Sequence, residues 1–264
     1  MKIYKTILKT YQSLQVNKNF RFEKYSIRYK EKTNLGLGSS YWSEVIEVLR
    51  EIIPIYDKVN SIISLGKDVE HRNRGISGRV FKGNKILDAG SGFGNMSKTA
   101  LKITGGDISI TLYDPLVPML KNTGSHFEKT PDMANGIFEH IPFRDEEFDA
   151  VLCGYSLRDA INLRIAISEI HRVLKKEGRM VIVDLGKPDK RFIRAGVAFY
   201  LRCILPILAF SAGGRLGLKF GTLYGTFQRW PQNKKLEELL LEKFSRVEFE
   251  KDLMGGAIMV AAYK

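Results

Sequence analysis

The sequence predicts an α/β fold, a doubly wound and mostly parallel sheet that ends in an antiparallel hairpin. Three observations carry this expectation. Short apolar runs alternate with helical patterns through the middle of the chain, the first run leads straight into a glycine turn, and two alternating segments flank Gly255-Gly256 near the C-terminus. The chain has 264 residues, which suits one large domain. Its 44% hydrophobic and 27% charged residues describe a chain that folds around a core rather than staying disordered.

Along the chain, Ile3, Ile7, Tyr11 and Leu14 recur at helical spacing between lysines, so residues 1–16 are expected to form an amphipathic helix that packs on the domain or lies on a membrane surface. Residues 17–40 are polar and basic and end in Gly36-Leu37-Gly38-Ser39-Ser40, the composition of a linker or flexible loop. Helices are expected from Ser40 to Arg50 and, after Pro54, from Tyr56 to Leu65. The domain boundary falls near residue 45, with a basic helical extension over 1–45 and the main domain over 46–264.

The core begins with a strand at Lys85-Ile86-Leu87-Asp88-Ala89, which enters Gly90-Ser91-Gly92-Phe93-Gly94 and a helix from Met96 to Ile103. A strand at Ile110–Tyr113 ends on Asp114, a helix starts near Val117, and a buried strand runs from Phe148 to Gly154. A helix from Leu163 to Leu174 and a strand from Met180 to Asp184 follow. The segments Val247–Glu250 and Ala257–Ala262 form the hairpin.

Charge and cysteine content bound the surroundings. The net charge of +13 favours anionic partners, and residues 1–32 alone hold nine Lys or Arg against Glu23 and Glu31. Cys153 and Cys203 read as free thiols in a reducing, cytoplasmic setting, and Lys2, Lys5 and Lys9 break up any secretory apolar region. Arg202 and Pro206 interrupt the apolar stretch Ala195–Ala212, so no transmembrane helix is expected. A homodimer is left open. No cluster has metal-ligand spacing, and metal dependence is not expected.

In a doubly wound sheet the ligand lies beyond the carboxyl ends of the central strands, where glycines let backbone approach it. Gly90, Gly92 and Gly94 stand there, and Asp114, 20 residues after Gly94, is the expected anchor for two ribose hydroxyls. A dinucleotide turn would place its third glycine at position 95, where this chain has Asn95. Asp88 before the turn would repel a diphosphate and suits a cationic methionine group, directly or through water. The cofactor expected is S-adenosylmethionine.

Ile86-Leu87-Asp88-Ala89-Gly90-Ser91-Gly92-Phe93-Gly94 resembles motif I of the Rossmann-like class I methyltransferases. Tyr56-Asp57-Lys58-Val59-Asn60, Ile141-Pro142-Phe143, Leu157-Arg158-Asp159, His171-Arg172-Val173-Leu174-Lys175 and Ile204-Leu205-Pro206 follow in the order seen in UbiE-type ubiquinone/menaquinone biosynthesis C-methyltransferases. This resemblance, over roughly residues 45 to 264, implies methyl transfer to the ring of a reduced polyprenyl quinone precursor, a small lipophilic quinol. It places Phe93, Asp114, Ile137, Phe138 and Gly154 at cofactor positions. Three departures stand out: Ile137 replaces a polar Asn or Asp that contacts the adenine amine, Asp159 replaces an Asn, and His71 replaces a Trp.

For such a reaction Arg158 is expected to stabilise the oxyanion of the ionising acceptor, and Tyr56 to orient the substrate or close over the methionine. Asp159 is either a base or, with Arg158, a cap on the helix beginning near Asn162. Lys190, Arg191 and Arg194 lead into the apolar segment that reaches Phe210, a combination suited to an apolar substrate wall and to anionic lipid at the inner face of a membrane. The same cofactor with another small lipid or metabolite acceptor is an alternative. So is a non-catalytic scaffold on this fold. Nucleic-acid binding is the least supported, since only the basic charge favours it.

Overall fold

Seven strands form one sheet in the order β3-β2-β1-β4-β5-β7-β6. They are β1 (Lys85–Ala89), β2 (Ser109–Asp114), β3 (Asp132–Asn135), β4 (Phe148–Gly154), β5 (Leu174–Leu185), β6 (Arg246–Asp252) and β7 (Ala257–Tyr263). The computed structural model describes residues 35–64, 66–123 and 127–264, and one compact unit spans Asn34–Lys264. Strands β1 to β5 pair in parallel, and β7 runs antiparallel between β5 and β6. The doubly wound sheet with its closing hairpin is therefore as expected. β3 was not expected: its four residues pair only with β2 at the sheet edge and carry no apolar run to mark them.

Neighbouring residues on each central strand serve opposite faces, because side chains alternate across a sheet. Leu87, Val151, Ile182 and Val260 pack against the helices Leu163–Val173 and Asn233–Leu241. Ile86, Leu152, Val181 and Met259 pack against Ile76, Met96 and Ala100, from the helices Asp68–Ile76 and Asn95–Thr104. Both faces are covered, so these strands read as continuous apolar runs rather than as polar alternations.

The segment before the first described helix departs from expectation. Leu37 N–H donates to the Ala160 carbonyl at 2.9 Å, Gly38 N–H to Ile161 at 3.0 Å, and Leu163 N–H to Leu35 at 2.9 Å. Leu37 is buried. These bonds fasten residues 35–38 to the loop that leads into the helix Leu163–Val173, so this stretch is not a flexible loop. The following helix, Ser39–Ile52, crosses the expected boundary at residue 45 and belongs to the compact unit. The helix Tyr56–Ile63 matches the second expectation, while Leu65 and residues 1–34, with their expected amphipathic helix, lie outside the described residues.

Arg191–Arg229, which includes the apolar stretch Ala195–Ala212, forms a further helical layer. It is helical throughout, and among the described residues it is a stretch long and apolar enough to cross a membrane by length and composition. Pro206 does not break it, because Pro206 sits in the first turn of Leu205–Gly213, where its missing N–H is not needed. The run bends at a π-turn, Tyr200–Ile204, and turns back after Gly213, where Gly217 comes so close to Ala209 that a Cβ would lie 1.9 Å from its carbonyl oxygen. Its inner side buries Leu201, Leu205, Phe220 and Phe227 against Ile52 and Val59, while Phe192, Phe199, Ile207 and Phe210 stay exposed.

The anchoring at residues 35–38 can be tested. Gly36 has φ +122°, and a Cβ there would lie 2.5 Å from the Ile161 carbonyl oxygen. Gly36→Ala is expected to lower the unfolding free energy by about 1–3 kcal/mol. Urea unfolding would read this, and an unchanged midpoint would show that the segment does not hold the fold.

Candidate active site

The strand order reverses between β1 and β4, since the chain winds outward from β1 to β2 and β3 on one side and from β4 to β5 on the other. Their carboxyl ends open a crevice at that point. Gly90, with φ +67°, fills the floor of it: a Cβ there would meet Ser156 Cβ at 2.4 Å and the Phe138 ring at 3.2 Å. The turn is fastened from both sides. Gly90 N–H donates to Tyr113 O at 2.7 Å, and Ser156 Oγ donates to Ala89 O at 2.9 Å.

Asp114, at the end of β2, faces this crevice. Its Oδ2 accepts from Gly92 N–H at 2.8 Å and its Oδ1 from Leu116 N–H at 2.7 Å. Burial pushes its carboxyl up to about 6 against the lowering effect of those bonds. The crevice has one wall of Gly90, Gly92, Asp114, Met119, Ile137 and Phe138, and another of Trp42, Ile46 and Tyr56. Ile137 offers only an apolar side chain, and its carbonyl accepts from Tyr113 OH at 2.8 Å, which fixes the loop beside Phe138. A flat base would be held here by apolar packing and main-chain groups.

Not every expected cofactor residue lines the crevice. Asp88 lies beneath the turn, where its Oδ2 accepts from Ser97 N–H at 3.1 Å and Ser97 Oγ at 2.7 Å, and burial pushes it up to about 7. Through Oδ2 it holds the first turn of the helix Asn95–Thr104, and its Oδ1 is left without a hydrogen-bond partner. Gly94 starts that helix in a left-handed conformation. Gly154 makes room for Met96, whose Cγ would be 2.3 Å from a Cβ. Phe93 packs edge-on against Tyr56, with ring centroids 6.1 Å apart.

A second cavity, of about 580 Å³, adjoins the first, and the two linings share Tyr155. Its floor is polar, with Asn60, His71, Arg72, Arg158 and Asp184, and its walls are apolar, with Val197, Leu201, Leu205 and Leu223. Phe192 and Met254, 90% and 78% exposed, stand at its rim. Tyr155 has φ 57°, a left-handed conformation rarely adopted outside glycine and characteristic of functional sites.

The Leu157-Arg158-Asp159 turn divides its side chains between the cavities. Arg158 Nη1 donates to Asp184 Oδ1 at 2.5 Å on the floor of the larger cavity, whereas Asp159 lines the smaller. Asp159 does not cap the next helix, because Asn162 does so, its side chain accepting from Arg164 and Ile165 N–H. Burial pushes the Asp159 carboxyl up to about 6, although the Arg158 charge lowers it. Tyr56 is half-buried, and the desolvation of its hydroxyl raises its pKa and keeps the phenol neutral.

Among the described residues, buried polar atoms without a hydrogen-bond partner include Ser91 Oγ, Arg158 Nε, Asp159 Oδ1 and Asp184 Oδ2, all in this region. Such atoms are rare in folded proteins, and their concentration marks a place where a ligand supplies the missing partners. The residues suit S-adenosylmethionine: Asp114 for the ribose, Ile137 and Phe138 for the base, and the Asp159 carboxylate for a cationic amine. The sequence reading missed Tyr155, Ser156 and Met119 as lining residues. The position of Tyr155 and Ser156, directly after β4, was the available signal for two of them.

Comparison with known proteins agrees with this geometry. Residues 37–264 match the model of the ubiE/COQ5 methyltransferase family. The ubiquinone/menaquinone biosynthesis C-methyltransferase UbiE of Campylobacter jejuni is 30% identical over 84% of this chain and 92% of its own length. The demethylmenaquinone methyltransferase of Staphylococcus carnosus is 32% identical over 84% of this chain and 93% of its own. In fold, the chain is similar to a SAM-dependent methyltransferase of Thermotoga maritima, with a TM-score of 0.59, 14% identity, and coverage of 83% of this chain and 99% of that one.

Asp114 leads to a test by calorimetry. Losing a charged hydrogen-bond acceptor removes about 1.5–3 kcal/mol per bond, so Asp114→Ala is expected to weaken S-adenosylmethionine at least tenfold. In the wild type, affinity is expected to fall as pH drops through about 6, because protonation converts the acceptor carboxylate into a neutral acid. Equal affinity in both proteins would remove Asp114 from the site.

Proposed function

This chain belongs to the ubiE/COQ5 methyltransferase family and is an S-adenosylmethionine-dependent methyltransferase, and from that premise we propose that it methylates a ring carbon of a reduced polyprenyl quinone. The observation that carries the substrate is the larger cavity, whose polar floor and apolar walls match a hydroxylated ring bearing an isoprenoid tail. The cofactor supplies a methyl group already activated on a sulfonium. The chain has to hold the acceptor carbon about 3–3.5 Å from that methyl and favour the acceptor's ionised form.

Arg158 serves the second need. Asp184 fixes one end of its guanidinium, and Nε, 3.8 Å from Asp159 Oδ1, makes no hydrogen bond within the protein and is free to donate one to a developing oxyanion. Asp159 faces the cofactor side, which favours an amine contact over proton abstraction from the acceptor. Tyr56, neutral and packed on Phe93, orients the ligands at the boundary. The competing readings, another lipid acceptor, a scaffold or nucleic-acid binding, have no comparable support.

The same reading puts the protein on the cytoplasmic face of a membrane. Exposed Phe192, Phe199, Ile207 and Phe210 lie on the helical layer that walls the cavity, with Lys190 and Arg191 exposed at its start. Apolar insertion and attraction to anionic lipid, about 1 kcal/mol per basic residue near the surface, act together there.

With reduced demethylmenaquinone carrying a short prenyl tail, the wild type is expected to form the ring-methylated quinol and S-adenosylhomocysteine. Arg158→Lys keeps the charge but loses the planar fork, and its kcat is expected to fall about 10²–10³-fold. A wild type that binds cofactor yet leaves every reduced quinone unmethylated sinks the substrate assignment. In flotation, vesicles with anionic lipid are expected to carry the protein and a Phe192→Ser, Phe210→Ser variant to bind less. Failure of the wild type to float would remove the membrane assignment.

A further inference from the structure

The acceptor must lose a hydroxyl proton, and Asp159 stands in the other cavity. The larger cavity holds a different arrangement. His71, from the helix Asp68–Ile76, is 2% exposed and reaches the cavity floor. Its Nδ1 lies 3.3 Å from Tyr155 OH, and its Nε2 lies 2.9 Å from Asp252 Oδ2. The three residues come from a helix and from the ends of β4 and β6, and they meet only in the folded chain.

We infer that Tyr155, His71 and Asp252 form a proton relay for the acceptor hydroxyl, with Tyr155 in contact with the acceptor and His71 receiving the proton. The inference deepens the proposed methyl transfer to a hydroxylated ring and rests on it. Asp252 sets the direction. Its Oδ1 accepts from Leu253 N–H at 2.7 Å, and its Oδ2 faces Lys67 at 3.6 Å and Arg74 at 3.2 Å as well as His71. The hydrogen bond from His71, the Leu253 N–H and the Lys67 charge hold this carboxyl well below the usual range, so it is an acceptor only. Nε2 then carries the imidazole proton, and the Nδ1 lone pair faces Tyr155.

Tyr155 completes the path. Burial raises its pKa, so its hydroxyl keeps its proton and donates to Nδ1, which leaves the oxygen lone pairs for an incoming O–H. The Arg72 guanidinium, paired with Asp68 at 2.6 Å, lies 5.3 Å from the Tyr155 ring centroid, and Arg158 and Asp184 occupy the rest of the floor. In the step, the acceptor O–H bond breaks, its proton goes to the Tyr155 oxygen, and the proton of Tyr155 goes to Nδ1. The acceptor becomes a phenolate whose electron pair is available at the neighbouring ring carbon, and His71 becomes an imidazolium paired with Asp252. Tyr155 is unchanged. After methyl transfer the ring carbon gives up its proton to water and the imidazolium returns its proton through Tyr155 to the ring oxygen, so one proton leaves with each methyl added and the relay is reset.

A purely structural His71 would tie the helix to the hairpin without touching protonation, so the test needs a readout of protonation. His71→Gln keeps a polar bridge, and Tyr155→Phe removes only the hydroxyl. Two measurements use the full chain with S-adenosylhomocysteine bound or S-adenosylmethionine supplied. In the first, the absorbance of bound 4-chloro-1-naphthol is followed against pH. The wild type is expected to hold it as naphtholate at least one pH unit below its ionisation in free solution, and both variants to lose that shift. In the second, kcat for reduced short-tail demethylmenaquinone is expected to drop about 10²-fold or more in both variants with KM within a few fold. Identical ionisation in all three proteins, or no binding of the naphthol by the wild type, overturns the relay. A wild type that shifts the naphthol but methylates no quinol keeps the relay and refutes the acceptor assignment. A wild type that methylates the quinol no faster than His71→Gln keeps the acceptor assignment and refutes the relay.

Discussion

The site depends on how closely two strand ends can approach. β1 and β4 are hydrogen-bonded neighbours, and the chain leaves them in opposite directions, so the backbone after β1 must turn directly against the backbone after β4. No side chain fits between Gly90 and Ser156. Given that contact, the other placements follow: the glycine turn lies over β2, Asp114 is brought to the Gly92 N–H, and the Tyr155-to-Asp159 turn is brought beside the cofactor crevice.

The electrostatics of the interior oppose those of the surface. A chain with a net charge of +13 buries Asp88, Asp114 and Asp184 and keeps Asp159 mostly covered. Ionised carboxylates are disfavoured in such surroundings, and the upward shifts of Asp88, Asp114 and Asp159 register that cost. Only Asp184 has a direct cationic hydrogen-bond partner, in Arg158. A sulfonium cofactor with a cationic amine supplies positive charge to this region, which explains why the carboxylates are tolerated.

Much of the architecture was legible because the central strands are buried on both faces, so Lys85–Ala89 and Phe148–Gly154 read as apolar runs with nearly correct ends. β3 and the helix Asp68–Ile76 were not legible, since the first is a short edge strand and the second is mostly charged. The glycine turn and Asp114 stand where their position in the sequence suggested, while Asp88 lies beneath the turn with its Oδ1 unpartnered and is not among the residues that line the crevice. The His71–Asp252 pair could not have been found, as 181 residues separate its members, although His71 alone stood out as a departure from the family's Trp.

Tyr155 is the wall common to two compartments with otherwise separate linings. Neither ligand therefore has to leave through the other's compartment. Under the proposed attachment to a bilayer, the spent nucleoside would exchange with water while the apolar cavity stayed open to the lipid phase. Successive turnovers would then draw on a two-dimensional pool of acceptor without desorption, with lateral supply of the lipid rather than its solubility setting the rate.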